Sequence, residues 1–204
     1  MFENIFKNEL TVIGAGQSGF DRLWLEIKTS YSKPYRYYHN LVHLDNLIEQ
    51  LVSVKDQISC WQTLVFSVAY HDIIYNARKK DNEEKSAELA FDRLGDLSVP
   101  EMQKVKCKAQ ILATKTHLLS PDRDTNFFTD ADLSILGSDR NMYLDYTRQI
   151  RQEYKFYPDF LYKPGRRKVL EHFLTMESIF KTQYFRDKLE NQAKANILSE
   201  LKSL

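Results

Sequence analysis

The sequence predicts an all-α protein, and three observations carry that prediction. Glycine and proline are scarce, six and five in 204 residues, too few for the turns of a β-sandwich, a barrel or a Rossmann fold. Apolar residues recur at three- and four-residue spacing over most of the chain, the period of helices that bury one face. No stretch alternates apolar and polar residues long enough to make a strand. One domain is expected over 1–204, with 1–19 as a lead-in, 20–137 as the core carrying the chemistry and 138–204 as helices that complete a compact bundle.

Taken in order, GAGQSG at 14–19 lacks a preceding strand and the Lys-Ser/Thr of a phosphate loop, so it reads as a flexible entry to a helix over 20–30. Ser32-Lys33-Pro34 ends that helix. The next is expected over 39–54, where Leu47, Leu51 and Val54 form a stripe that His43 and then His39 extend toward the N-terminus. Residues four apart on a helix are surface neighbours, so His39 and His43 should point the same way, with Arg36 just ahead of them. A third helix is expected over 56–72. Ile58, Trp61, Leu64, Val65, Val68 and Ala69 make its buried face, and His71-Asp72 continues that face. Residues 73–80, IIYNARKK, read as a loop. Asp81 then opens a helix that stops near Gly95, its acidic first turn suiting the dipole. Another helix leads from Val99-Pro100 toward His117. A loop is expected at 120–125, then DADLSILG up to Gly137, then helices over 140–155, 158–180 and 185–204.

Bulk properties narrow the function. Apolar residues make up 43% and charged residues 28%, a composition able to build a core, and the formal net charge of +1 provides no field for DNA, RNA or an anionic membrane. No run of eighteen apolar residues exists, so no membrane span is expected. The N-terminus, interrupted by Glu3, Lys7 and Glu9, lacks the apolar core of a secretory signal. Cys60 and Cys107 form no CxxC motif, and a reduced, cytoplasmic setting is the simple expectation.

Three of the five histidines, His39, His43 and His71, fall between positions 39 and 71. A buried carboxylate such as Asp72 costs several kcal/mol unless something offsets its charge. A divalent cation would do so. His43, His71, Asp72 and Asp132 together make a ligand set of intermediate hardness, suited to Mn, Mg, Ni, Co, Fe or Zn and unlike the all-oxygen shell that Ca²⁺ prefers. The competing reading is a group of hydrogen-bonded core residues. Asp130 competes with Asp132 as the ligand, and the spacing to Leu133 and Leu136 favours Asp132.

His43 … His71-Asp72 … Asp132 resembles the His … His-Asp … Asp pattern of the HD-domain metal-dependent phosphohydrolases, and YHNLVH at 38–43 resembles the YHNxxH box of the related cyclic-nucleotide phosphodiesterases. HDIIYN, DNEEKSAELA, ATKTH, RQEYKFYPDF and PGRRKVLEHFL are similar to segments of a subgroup of predicted HD phosphohydrolases, so the resemblance runs from about residue 20 to the end. The chain is much shorter than the phosphodiesterases and has no recognisable nucleotide-selecting glutamine region.

The resemblance implies an HD-type helical domain that holds a divalent metal through His43, His71, Asp72 and Asp132. It implies hydrolysis of a phosphate ester of a nucleotide or another small phosphorylated molecule. His39 would protonate the departing oxygen, Asp72 would bind metal and could bridge to a second ion, and Glu83 would orient water or serve a second metal. His117 is a candidate for a second metal or for the phosphate, and Arg78, Lys79 and Arg166 are candidates for the phosphate, beside Arg148, Arg151 and Arg167. Each has a plainer reading: Glu83 favours a helix start, His117 complements a helix C-terminus, and the basic residues are solvated. The alternative function is a nucleotide-sensing HD-fold module with little turnover. Neither DNA nor a membrane is expected as a partner.

Overall fold

The computed structural model describes residues 1–204, which form ten α-helices and two short 3-10 turns, with no strand. The all-α prediction holds. The chain divides into two compact units, Met1–Thr129 and Asp130–Leu204.

The first unit begins with a helix where a lead-in was expected. α1 (Phe2–Val12) buries Phe2, Phe6 and Leu10 at a four-residue repeat, a stripe only one residue wide and hence easily passed over in a sequence. Phe6 meets Phe66 edge-on at 5.7 Å. Gly14 and Gly16, at φ +76° and +65°, turn the chain into α2 (Gly16–Tyr31). The glycines of GAGQSG therefore serve a helix junction, since both take the left-handed backbone that other residues avoid.

α3 (Leu41–Val52) starts two residues later than expected. Asn40 is its N-cap: the backbone there is extended, and the side-chain oxygen accepts the Val42 N–H. His39 is thereby left in the loop that precedes the helix. The helix expected over 56–72 is also shorter. A 3-10 turn at Lys55–Gln57 comes first, and α4 (Trp61–Tyr70) follows. The break is stabilised from a distance. The buried Asp124 carboxylate accepts the N–H groups of Ser59 and Cys60 at 2.8 and 2.9 Å and the Lys106 ammonium at 2.7 Å. Such long-range capping leaves no local sequence mark.

α4 is the centre of this unit. Every residue from Thr63 to Tyr70 is buried, and α1, α3, α5 (Asn82–Asp96) and α6 (Glu101–Ala113) pack around it. A helix surrounded on all sides should be apolar all round, and this one nearly is. Its buried polar residues are Thr63 and Ser67, and Ser67 donates to Gln110 of α6 at 2.6 Å. α7 (Arg123–Asp132) starts in the first unit and ends in the second.

In the second unit a 3-10 turn at Leu133–Gly137 packs on α10 (Gln183–Ser203), and α8 (Arg140–Glu153) and α9 (Asp159–Thr175) complete it. α9 ends five residues before the expected position 180. Asp139 caps α8 by accepting the Asn141 and Met142 N–H groups. Gly137 lies so close to α10 that a Cβ there would sit 2.6 Å from the Cβ of Leu189.

Two substitutions test this packing. Gly137→Ala should cost about 1–3 kcal/mol, because α10 must shift to admit the methyl group; thermal melting should show the loss. Asp124→Ala strands two amides, while Lys106 keeps its pair with Asp122 at 3.1 Å, and chemical denaturation should show a loss of about 2 kcal/mol.

Candidate metal centre

The centre forms where α4 runs out. His71 is the C-cap residue of α4, and Asp72 is the first residue beyond it. The carbonyl end of a helix carries partial negative charge, so this position favours a cation. The His71 ring is fixed from behind. Its Nδ1 lies 2.9 Å from the carbonyl oxygen of Val68. A carbonyl can only accept, so Nδ1 carries the proton and Nε2 presents a lone pair forward, the tautomer that ligates metals.

His43, in the first turn of α3, meets it head-on. The two Nε2 atoms are 3.0 Å apart, a hydrogen-bond distance across which His43 can donate to the lone pair on His71, and close to the spacing of donors at right angles around an ion bound at about 2.1 Å. Asp72 completes a tight group. Its Oδ2 lies 3.2 Å from Nε2 of His71, 4.0 Å from Nε2 of His43 and 3.9 Å from Nε2 of His39. One carboxylate oxygen therefore faces three imidazoles. His43 and His71 are buried; His39 and Asp72 keep some exposure.

His39 reaches this group although it lies outside the helix. Its ring packs against Tyr75 at 4.5 Å with the planes tilted by 32°, meets Tyr38 edge-on at 5.0 Å, and stands 5.8 Å from the His43 ring. The expectation that His39 and His43 share a direction holds, but its reason changes. Tyrosine packing brings the rings together, and the helical repeat does not. Tyr75 lies in the segment expected to be a plain loop. Its aromatic ring just after His-Asp was the one signal that could have marked it.

α7 approaches through Phe128, whose ring meets His71 edge-on at 5.7 Å. The two acidic residues further along α7 differ sharply. Asp130 is buried and accepts the N–H groups of Lys181 and Thr182, at 2.8 and 2.7 Å, and the Thr182 hydroxyl. It thus caps the start of α10. Burial pushes its carboxyl up, while those hydrogen bonds pull it back. Asp132 lies two residues on, about 200° round the helix, and one turn beyond Phe128 on the same face. His43, His71 and Asp132 each offer one ligand atom and could hold a metal ion.

Glu83 stands half-buried in the first turn of α5. Burial raises its carboxyl above the usual range; its own backbone hydrogen bond opposes this, and the Asp72 charge adds to the rise. Lys115, past the end of α6, moderates the rise and pairs with Glu84. His117, two residues on, takes a left-handed backbone at φ +51°, an uncommon conformation for a histidine. Arg78 and Lys79 are exposed on the loop after Asp72, which Asn76 and Asn82 tie together.

Arg166 belongs to the second unit. It is buried there and forms a two-pronged pair with Glu200 at 2.8 and 3.0 Å, with a further bond to the Tyr146 hydroxyl. Its donors are engaged in holding α9 to α10, so it is not carried forward as a phosphate ligand. Arg148 and Arg151 are likewise paired, with Asp145 and Asp159, and Arg167 donates to the Leu201 carbonyl.

No protein-family model, no curated protein and no solved structure matches this chain. No helix is long and apolar enough to cross a membrane.

The two carboxylates of α7 should respond differently to neutralisation. Asp130→Asn should lower stability by about 2 kcal/mol through its lost charge-assisted bonds to amides and leave Mn²⁺ uptake intact. If His43, His71 and Asp132 hold a metal ion, Asp132→Asn should weaken Mn²⁺ uptake, read by calorimetry.

Proposed function

We propose that this chain is a metal-dependent phosphohydrolase acting on a nucleotide or another small phosphorylated molecule. The observation that carries the reading is the approach of three imidazole Nε2 atoms to one carboxylate oxygen, that of Asp72, at 3.2 to 4.0 Å. A purely structural core has little use for such a group. Imidazoles and a carboxylate would be removed from water together, at a cost that apolar residues of similar volume would avoid.

His43, His71, Asp72 and Asp132 are the proposed metal ligands. When bound, a divalent ion supplies positive charge to a phosphoryl oxygen and acidifies the water that attacks phosphorus. The protein's residues divide the remaining work. The Val68 carbonyl keeps the His71 lone pair turned toward the cation. Asp72 holds charge at the end of α4 and orients the imidazoles around it. His39, which Tyr75 and Tyr38 hold at the more exposed side, is the general acid: in its protonated form it gives a proton to the leaving oxygen as the ester bond breaks. Glu83, its carboxyl raised by burial and by Asp72, accepts a hydrogen bond from the attacking water. Arg78 and Lys79, on the loop that leaves Asp72, are the proposed contacts to the phosphate, with His117 as a further candidate. Cyclic-nucleotide specificity forms no part of the proposal, because the chain lacks a recognisable glutamine region for it.

Purified protein should hydrolyse at least one member of a panel of nucleoside mono-, di- and triphosphates and phosphodiesters in the presence of Mn²⁺, and chelation should abolish turnover. Asp72→Ala should remove activity and metal uptake together. His39→Gln should keep metal uptake and slow turnover by about 10²–10⁴-fold, the usual contribution of a positioned general acid. Undiminished hydrolysis by Asp72→Ala would refute the mechanism.

A further inference from the structure

Arg36 has an unusual setting. It is buried, 5% exposed, and its guanidinium carbon lies over two tyrosine rings, 4.7 Å from the centre of Tyr31 and 5.2 Å from that of Tyr75. Its two terminal nitrogens donate to backbone carbonyls on different loops, Nη1 to His39 at 3.0 Å and Nη2 to Ile73 at 2.9 Å. Its Nε is buried with no hydrogen-bond partner.

This is a costly way to fill space. A buried guanidinium met by carbonyl dipoles and ring faces is no more stabilising than an apolar side chain of the same length would be. What the guanidinium does, and an apolar chain cannot, is join two particular loops. One carries His39. The other follows directly from Asp72, whose own N–H donates to the Tyr31 hydroxyl at 3.2 Å. The aromatic partners extend the link: Tyr75 meets both Arg36 and the His39 imidazole, the latter ring tilted at 32°, while Tyr31 meets Arg36 and accepts the Asp72 N–H. One planar cation thus fixes both the backbone and the ring of His39 relative to Asp72.

We propose that Arg36 is a positioning residue for proton donation, holding the His39 imidazole at its working distance from Asp72 by clamping the His39 and Ile73 carbonyls and the Tyr31 and Tyr75 rings. The proposal rests on the phosphohydrolase reading in assigning His39 its task; the placement of the His39 ring can be tested apart from it. Lysine cannot replace arginine here. An ammonium is a compact point charge and cannot reach two carbonyls while meeting two rings.

The experiment compares two esters with Mn²⁺ present: a nucleoside monophosphate, whose strongly basic leaving oxygen needs a proton, and p-nitrophenyl phosphate, whose weakly basic one does not. In Arg36→Met and Arg36→Lys, kcat on the nucleoside ester should fall about 10²-fold with KM little changed, since a misplaced catalytic group costs roughly that much. On p-nitrophenyl phosphate both variants should stay within a few-fold of the parent. Mn²⁺ affinity by calorimetry should be preserved, whatever fall in melting temperature accompanies the two lost hydrogen bonds. Equal losses on both esters would mean that Arg36 merely supports the fold, and no loss on either would mean that it positions nothing; each outcome overturns the proposal. If the parent protein hydrolyses neither these esters nor any of the panel, the functional reading fails instead. The role of Arg36 is then decided by the His39 ring-proton resonances, assigned with His39→Gln. They should lose the shift imposed by the Tyr75 ring in Arg36→Met, and unchanged resonances would reject the clamp.

Discussion

The structure of the first unit turns on one electrostatic problem: how to keep imidazoles and a carboxylate together at the inner end of an apolar helix. α4 is buried nearly all round, and its last turn leads directly into His71 and Asp72. Coulomb interactions strengthen as water is excluded, and so does the penalty for any charge left without a partner. The arrangement answers by fixing each group from behind. His71 is set by the Val68 carbonyl, His43 by its place in the first turn of α3, and His39 by two tyrosines. The Nε2 atoms of His43 and His71 face each other at hydrogen-bond distance. A metal ion held there would compete with protons for the same nitrogens.

The caps of the helices are part of this solution. α4 must end where it does for His71 to face His43, and its start must be set with matching accuracy. Asp124 sets that start by taking the two amides ahead of the helix, although it lies more than sixty residues away in sequence. Asp124 and Phe128 are both on α7. The helix that fixes the beginning of α4 with its first turn therefore rests on the His71 ring one turn later. A change in the tilt of α7 would be felt at both ends of α4.

Much of this was legible in the sequence, for identifiable reasons. The apolar repeat of residues 58–69 gives the buried face of α4, and its continuation to His71 and Asp72 places those two side chains inward, as the structure has them. The Leu47 and Leu51 stripe does the same for His43. Boundaries were less legible. The Asn40 cap and the Asp124 cap each displaced a helix start, the first through a local signal outweighed by the wish to continue a stripe, the second through a contact between distant residues. α1 was missed because one buried residue per turn makes a weak pattern. The Arg36 clamp was out of reach, since a guanidinium over two tyrosines leaves no periodic trace and both of its hydrogen bonds go to backbone carbonyls.

Five buried or half-buried carboxylates of this protein share one rule, and it sets them apart from Asp72. Asp124 and Asp130 accept backbone amides at helix starts. Glu190 does the same for the Ile179 and Phe180 amides, which, with Lys194, hold its carboxyl below the usual range against the opposing effect of burial. Glu26 and Glu200 pair with Arg93 and Arg166. Each of these partners carries a fixed positive charge or a fixed dipole that no change of pH within the physiological range removes. Asp72 instead faces imidazoles, groups that change charge in that range and that bind divalent metals when neutral. That difference in partner, more than burial or position in a motif, distinguishes Asp72 from the carboxylates that only hold the fold together.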